Sequence, residues 1–207
     1  MNKNKFISFE GIDGSGKSTQ IELLKQKLLL IGEKYSIYRE PGGTAISEQI
    51  REILLDKKNS DLSDNCESFL FFASRNQLLL KKIIPDLDKG LFVICDRFND
   101  STIAYQGYGK EGDVDNLNKI SNFAIKGRQP DITFYLDITA NLSIDRRKLL
   151  TNDRIEQKGT KYLQKVRNGF LQLAKEYSNR IYVINGDADK NEIFVKIWDI
   201  LNDKYEF

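Results

Sequence analysis

Eight residues near the start of the chain, Gly11-Ile12-Asp13-Gly14-Ser15-Gly16-Lys17-Ser18, repeat the pattern G-x-x-x-x-G-K-[ST] at every fixed position, and Thr19 follows. Phosphate oxygens need several converging donors with no side chains in the way. Glycines let the backbone fold closely enough for its N–H groups to surround a phosphate, and the start of a helix adds favourable polarity. Lys17 would set a cation against the β and γ oxygens of a nucleoside triphosphate, while the Ser18 hydroxyl can ligate Mg²⁺. The context is the one this mechanism requires: Phe6-Ile7-Ser8-Phe9 reads as a strand, and helical periodicity begins at Lys17. The pattern implies nucleoside triphosphate binding and leaves the reaction open.

Other residues narrow the reaction. The apolar run Leu91-Phe92-Val93-Ile94-Cys95 delivers Asp96 to the edge of a sheet where ligands bind, and a carboxylate there can hold Mg²⁺ through water. Arg39, Arg51, Arg75 and Arg97 fall at strand ends and on nearby helices, the residue type that grips an anionic acceptor. A guanine-specific switch would want N/T-K-x-D, and Asn118-Lys119-Ile120-Ser121 lacks the aspartate. The chain has no histidine, which removes Ser-His-Asp nucleophiles, imidazole general bases and zinc sites that need His. Thirty-two Lys and Arg against 30 Asp and Glu leave a net charge of +2, so nothing in the charge balance points to a nucleic-acid partner. Cys66 and Cys95 lie far apart and form no CxxC pair, as expected of small buried side chains in a reducing compartment.

The elements that must position these groups alternate along the chain. Ile21, Leu24, Leu28 and Ile31 mark one face of a helix over Lys17 to Ile31, with Gly32 as its cap. Tyr35 to Tyr38 reads as a strand. Ile46 to Leu54 reads as a helix, and Glu67 to Ile84 as a longer one ending near Pro85. Further strands are expected at Leu91 to Cys95, Thr133 to Leu136 and Ile181 to Ile184. Helices fill the gaps over about Val114–Lys126, Leu142–Leu150, Thr160–Tyr177 and Lys190–Lys204. Continuous apolarity suits parallel strands covered on both faces. The whole reads as an α/β fold, a doubly wound parallel five-stranded sheet flanked by helices. One domain spanning 1–207 is expected, with a short helical lid at about 142–156. Only four residues separate Lys5 from Glu10, too few for a signal h-region of ~7–15 apolar residues. No apolar run approaches the ~20 residues of a bilayer span. A soluble, cytoplasmic protein is the expectation.

Four groups of residues carry a closer likeness: Phe9 to Thr19; Arg39-Glu40-Pro41-Gly42-Gly43-Thr44; Asp96-Arg97-Phe98 with Ser101-Thr102 and Ala104-Tyr105-Gln106-Gly107; and Pro130-Asp131 ahead of Tyr135-Leu136-Asp137, followed by Asp153-Arg154-Ile155-Glu156. In order and spacing, over nearly the whole chain, they resemble the thymidylate kinase family. The resemblance implies a P-loop fold of the nucleoside monophosphate kinase kind. It also implies an enzyme that moves the γ-phosphoryl group of ATP to dTMP, giving dTDP and ADP for dTTP synthesis, with Mg²⁺ and commonly as a homodimer through the helix at Glu67–Ile84. Gly11 to Thr19 would hold ATP, and Ser18 and Asp96 the metal. Arg97 and Arg39, assisted by Arg51, would hold the dTMP phosphate, with Asp13 near the acceptor sugar or its phosphate. Phe71 would stack on thymine and Arg75 would donate to one of its carbonyls. Ser101, Thr102 and Gln106 would lie toward the base edge, and Tyr105 beneath the sugar.

Catalysis by the same resemblance falls to Lys17, Arg97 and a basic lid. Some members carry an arginine within the P-loop where this chain has Gly14, so the lid run Arg146, Arg147, Lys148 through Arg154 would supply it. Its spacing is about a residue shorter than the bacterial pattern, which leaves the choice among the basic residues open. Phe98 replaces a tyrosine, losing only a hydroxyl, and Asn185-Gly186-Asp187 resembles the loop beside adenine. The chemistry does without histidine. The attacking acceptor phosphate is already anionic, so alignment and charge stabilisation suffice.

Overall fold

The computed structural model describes residues 5–147 and 158–207. Five strands, β1 (Phe6–Glu10), β2 (Tyr35–Arg39), β3 (Phe92–Asp96), β4 (Ile132–Asp137) and β5 (Ile181–Asn185), form one sheet in the order β2-β3-β1-β4-β5. Every neighbouring pair is parallel, with Ser8 level with Cys95 on one side and Thr133 on the other. The strands with unbroken apolar runs are the central ones: β1 is buried throughout, and β3 and β4 are buried until their final aspartates. The edge strands β2 and β5 are only partly covered. All five therefore end on one edge, where Glu10, Arg39, Asp96 and Asp137 emerge. Polar side chains inside the sheet are paired, Ser8 Oγ lying 2.8 Å from Thr133 Oγ1.

Helices cover both faces. α1 (Lys17–Leu30) and α9 (Lys190–Tyr205) bury Leu24, Leu28, Ile197 and Leu201 against Phe9, Ile94 and Phe134. Across the sheet α8 (Gly159–Glu176) places Val166 and Phe170 beside Tyr105 and Tyr135, with the Tyr135 and Phe170 rings stacked 4.8 Å apart. α2 (Ala45–Leu55), α3 (Asp64–Leu78) and α6 (Val114–Ala124) pack side by side in that order. Side-chain caps start them: Thr44 accepts from Ser47 N–H, Ser63 from Cys66 N–H and Asp113 from Asn116 N–H.

Cys95 is buried as expected, but Cys66, in the first turn of α3, is exposed, and the elements depart from expectation in two places. The long helix does not stop at Pro85. A π-helical turn, Leu79–Ile83, shifts the hydrogen-bond register, and α4 (Ile84–Asp88) continues with Pro85 in its first turn, where no donor is needed. After β3, the short α5 (Asn99–Thr102) runs into a π-helical stretch, Ile103–Gly109, that strand-and-helix periodicity did not predict. Its seven residues are too few to display a period. Of the expected lid helix, α7 (Ala140–Arg146) is seen; the remainder of the lid expectation, with Lys148 and Arg154, lies outside the described residues. Among those residues no helix is long and apolar enough to cross a membrane.

Candidate active site

The glycine loop joins β1 to α1 across the sheet's C-terminal edge. Gly11 sits at φ +143°, and a Cβ there would come within 2.7 Å of Leu136 O and of Ser15 Oγ, so no other residue fits without displacing backbone. Gly16, at φ +95°, begins α1. Lys17 is 7% exposed; its Nζ donates to Gly11 O at 3.0 Å and Ile12 O at 3.4 Å, and lies 3.9 Å from Asp13. Burial, and then the charge of Arg97, lower its pKa.

Arg97 follows Asp96 at φ +72°, a left-handed backbone that a side-chain-bearing residue rarely adopts. Its own N–H, donating to Phe9 O at 2.9 Å, helps hold that turn. The guanidinium reaches back to the glycine loop, donating to Gly11 O at 2.9 Å and to Asp13 Oδ1 at 2.6 Å, and it lies over the Tyr105 ring. Beneath it Glu10, fully buried, accepts from Phe98 N–H at 2.7 Å and from Ser101 Oγ. Burial first, and the nearby Asp100 second, push the Glu10 carboxyl up to about 8. Asp100 is gripped by both Nη atoms of Arg180 at 2.7 Å, a buried bidentate pair that anchors α5 to the start of β5.

At the far end, Arg75 is 1% exposed, and each of its three nitrogens makes one hydrogen bond, which leaves an N–H on each Nη. It donates from Nε to Glu40 Oε2 at 2.6 Å, from Nη1 to Thr102 Oγ1 at 2.8 Å and from Nη2 to Phe98 O at 3.0 Å. Burial raises the pKa of Glu40, and the Arg75 charge opposes that rise. Three phenylalanines sit close together on α3 and the structure separates them: Phe69 is 56% exposed, Phe72 is buried in the core, and Phe71 lines the cavity. Arg39 donates to both Glu48 oxygens at 3.0 Å, and Arg51 donates to Pro41 O at 3.0 Å. Glu48 also accepts from Gly43 N–H, and that bond, with the charge and hydrogen bond of Arg39, lowers its pKa.

One cavity of about 570 Å³ runs between these ends, a usual size for a small-ligand site. Asp13, Gly14, Gly16, Lys17, Ser18 and Thr19 line it from the loop side, and Asp96, Arg97 and Tyr105 from the middle. Arg39, Arg51, Phe71, Arg75, Ser101, Thr102 and Gln106 line the other end. Gly11, Ile12 and Ser15 shape the loop without lining the cavity. Arg146 does line it, donating to Gly14 O at 3.1 Å, Gly186 O at 3.0 Å and Asp187 at 3.2 Å. Arg147 turns elsewhere, buried with Nε on Ser143 O. Among the described residues no group of three or more Asp, Glu, Cys or His could hold a metal. What the cavity offers is a hydroxyl, Ser18, and a carboxylate, Asp96. These hard oxygens fit Mg²⁺, which takes one or two protein ligands and fills its octahedron from water and phosphates.

Sequence reasoning assigned no role to Glu10, Glu40 or Glu67. Glu10 carried a readable signal, a carboxylate closing an apolar strand; Glu67 carried none, being one acid in a helix's first turn.

The family model described as thymidylate kinase matches residues 9–197. The chain belongs to the thymidylate kinase family. It is 45% identical over 196 residues to the thymidylate kinase of Thermosipho africanus, covering 95% of this chain and 96% of that one. To that of Thermoanaerobacter sp. it is 41% identical over 199 residues, covering 96% and 98%. The crystal structure of thymidylate kinase from Ehrlichia chaffeensis superposes with a TM-score of 0.77 at 36% identity, covering 95% of this chain and 97% of that one. A thymidylate kinase needs a donor site and an acceptor site in reach of each other, and the cavity joins a glycine loop to an arginine-lined end.

Proposed function

We propose that the cavity brings two nucleotides together tip to tip, and that the chain phosphorylates dTMP to dTDP with ATP as donor. The observation that carries this is the placement of Arg97, which bonds the glycine loop on one side and Ser101 on the other, in a cavity that Lys17 and Arg75 also line. In this reading Gly11 to Thr19 wrap the ATP phosphates and Lys17 neutralises charge on the transferring group. Arg97 holds the acceptor phosphate in line, with Arg39 and Arg51 beside it and Asp13 orienting Arg97. Phe71 stacks on the base, Arg75 donates to a base carbonyl, and Ser101, Thr102 and Gln106 face its edge. Tyr105 fills the space a ribose 2′-hydroxyl would need. Mg²⁺ held at Ser18 and Asp96 supplies charge neutralisation on the β and γ oxygens. No residue has to remove a proton, because the nucleophile is a phosphate oxygen.

The bonds from Arg146 to Gly14 O and Gly186 O support a place for it beside the donor nucleotide; Arg147, Lys148 and Arg154 are the remaining lid candidates. The residues 1–207 act as one domain, in the cytoplasm. A homodimer is supported by Phe123, 84% exposed on α6, and Phe69, 56% exposed on α3, since those two helices pack together and the rings would be covered by a second copy. The reaction is tested by coupled ADP formation with dTMP, dUMP, dCMP, dGMP and AMP. Preference for dTMP is expected, and preference for any other acceptor overturns the reading.

A further inference from the structure

Gln106 and Arg75 both face the acceptor end of the cavity, but they differ in one chemical respect. A guanidinium is a donor whichever way it turns. A carboxamide is a donor at one end and an acceptor at the other, and half a turn exchanges them. Gln106 can therefore contribute to base selectivity only if something fixes its orientation. Its Nε2 donates at 3.0 Å to Glu67 Oε1, on the first turn of α3, and Glu67 is fully buried. The same carboxylate oxygen is 2.5 Å from Lys110 Nζ. An ion-paired carboxylate has no proton to give, so only the nitrogen end of the amide can meet it.

We infer that Glu67 is a positioning residue for acceptor specificity: by holding the Gln106 nitrogen, it leaves the amide's carbonyl oxygen as the group offered to the base. An acceptor oxygen matches the N3–H that thymine and uracil carry, and opposes the lone pair that cytosine carries at N3. Arg75 supplies the complementary half, a donor for the O4 carbonyl that is unsuited to cytosine's amino group. The two contacts together read the keto-imide edge of the ring. Only the Gln106 contact depends on a second residue to keep its polarity. Lys110 sustains the arrangement by neutralising the buried carboxylate, and it reaches Asp64 at 2.5 Å as well. This inference rests on the proposed dTMP site and adds to it the device that separates thymine from cytosine.

The test compares kcat/KM for dTMP, dUMP and dCMP in the parent enzyme and in Glu67→Leu. The leucine side chain can hold neither end of the amide, and Lys110 keeps Asp64 as its partner, so the dTMP-to-dCMP ratio should fall at least about tenfold. The dTMP-to-dUMP ratio should not move, because both bases carry N3–H, and the KM for ATP should stay within twofold. A purely structural role would lower all three acceptors alike. The exchanged pair, Glu67→Gln with Gln106→Glu, keeps the charge beside Lys110 and still turns an acceptor oxygen to the base, so it should recover most of the ratio. A Glu67→Leu enzyme whose dTMP-to-dCMP ratio stays within twofold of the parent overturns the inference. If that variant does not fold, an exchanged pair that folds but lacks the discrimination does the same. A parent enzyme that itself fails to prefer dTMP over dCMP overturns the substrate reading instead, and the two failures are told apart by that control.

Discussion

The two ends of the cavity solve recognition by opposite means. At the glycine loop two of the lining residues, Gly14 and Gly16, have no side chain to offer, and under the proposed reading the side-chain groups are few: Lys17, Ser18 and, across the gap, Asp96. What the loop requires is conformation, met by glycines at positive φ. At the arginine-lined end several lining side chains are held by a buried partner. Glu40 holds Arg75, Glu67 holds Gln106, Glu10 holds Ser101, and the Arg180–Asp100 pair fixes the helix beneath them. A loop that meets any phosphate needs shape alone. A pocket that must choose among bases needs charges and hydrogen-bond polarities that cannot wander, and each costs a second buried residue.

Arg97→Ala should break the comparison hardest, because this side chain touches both ends. Turnover should fall about 10³-fold or more and dTMP capture should weaken, with ATP affinity by calorimetry nearly unchanged. Gly11→Ala attacks the shape side alone. Its Cβ would meet Leu136 O at 2.7 Å, so the Kd for ATP should rise at least about tenfold while dTMP binding stays within twofold. The charge side has a pH signature. The Glu10 carboxyl is pushed up to about 8 in the folded protein from an ordinary 4.5, so between those values the native state binds a proton that the unfolded chain does not. That contribution is complete below pH 4.5 and is lost as pH rises through 8. Urea unfolding at pH 5, 6.5 and 8 should show stability falling by on the order of 3–5 kcal/mol, and Glu10→Gln should flatten the slope. The smallest effect is expected at Ser15, whose Oγ has no hydrogen-bond partner among the described residues. Ser15→Ala should leave the ATP Kd within about twofold, since the loop works through its backbone. A large loss there would erase the contrast between the two ends.

Legibility in the sequence follows the same division. The glycine loop is contiguous, so Gly11 to Ser18 announce both structure and ligand, and the parallel sheet is readable because β1, β3 and β4 are apolar without interruption. The arginines were visible as candidates, and the family's spacing named Phe71 over its neighbours Phe69 and Phe72. Their holders were not visible. Glu40 and Arg75 are 35 positions apart, Glu67 and Gln106 are 39 apart, and Asp100 and Arg180 are 80 apart. A single chain carries no mark of which distant acid meets which base. Ile103 to Gly109 escaped for a different reason: a run this short displays no period, and its glycines read as loop.

The left-handed backbone at Arg97 has a consequence for any attempt to harden this enzyme against heat. A side chain in that conformation costs about 1–2 kcal/mol that glycine would not, so a search guided by melting temperature alone is drawn toward removing the arginine. Such a variant would give up the cation that bonds both the glycine loop and Ser101. Melting curves would report progress while turnover vanished, and at this position the two assays must be run side by side.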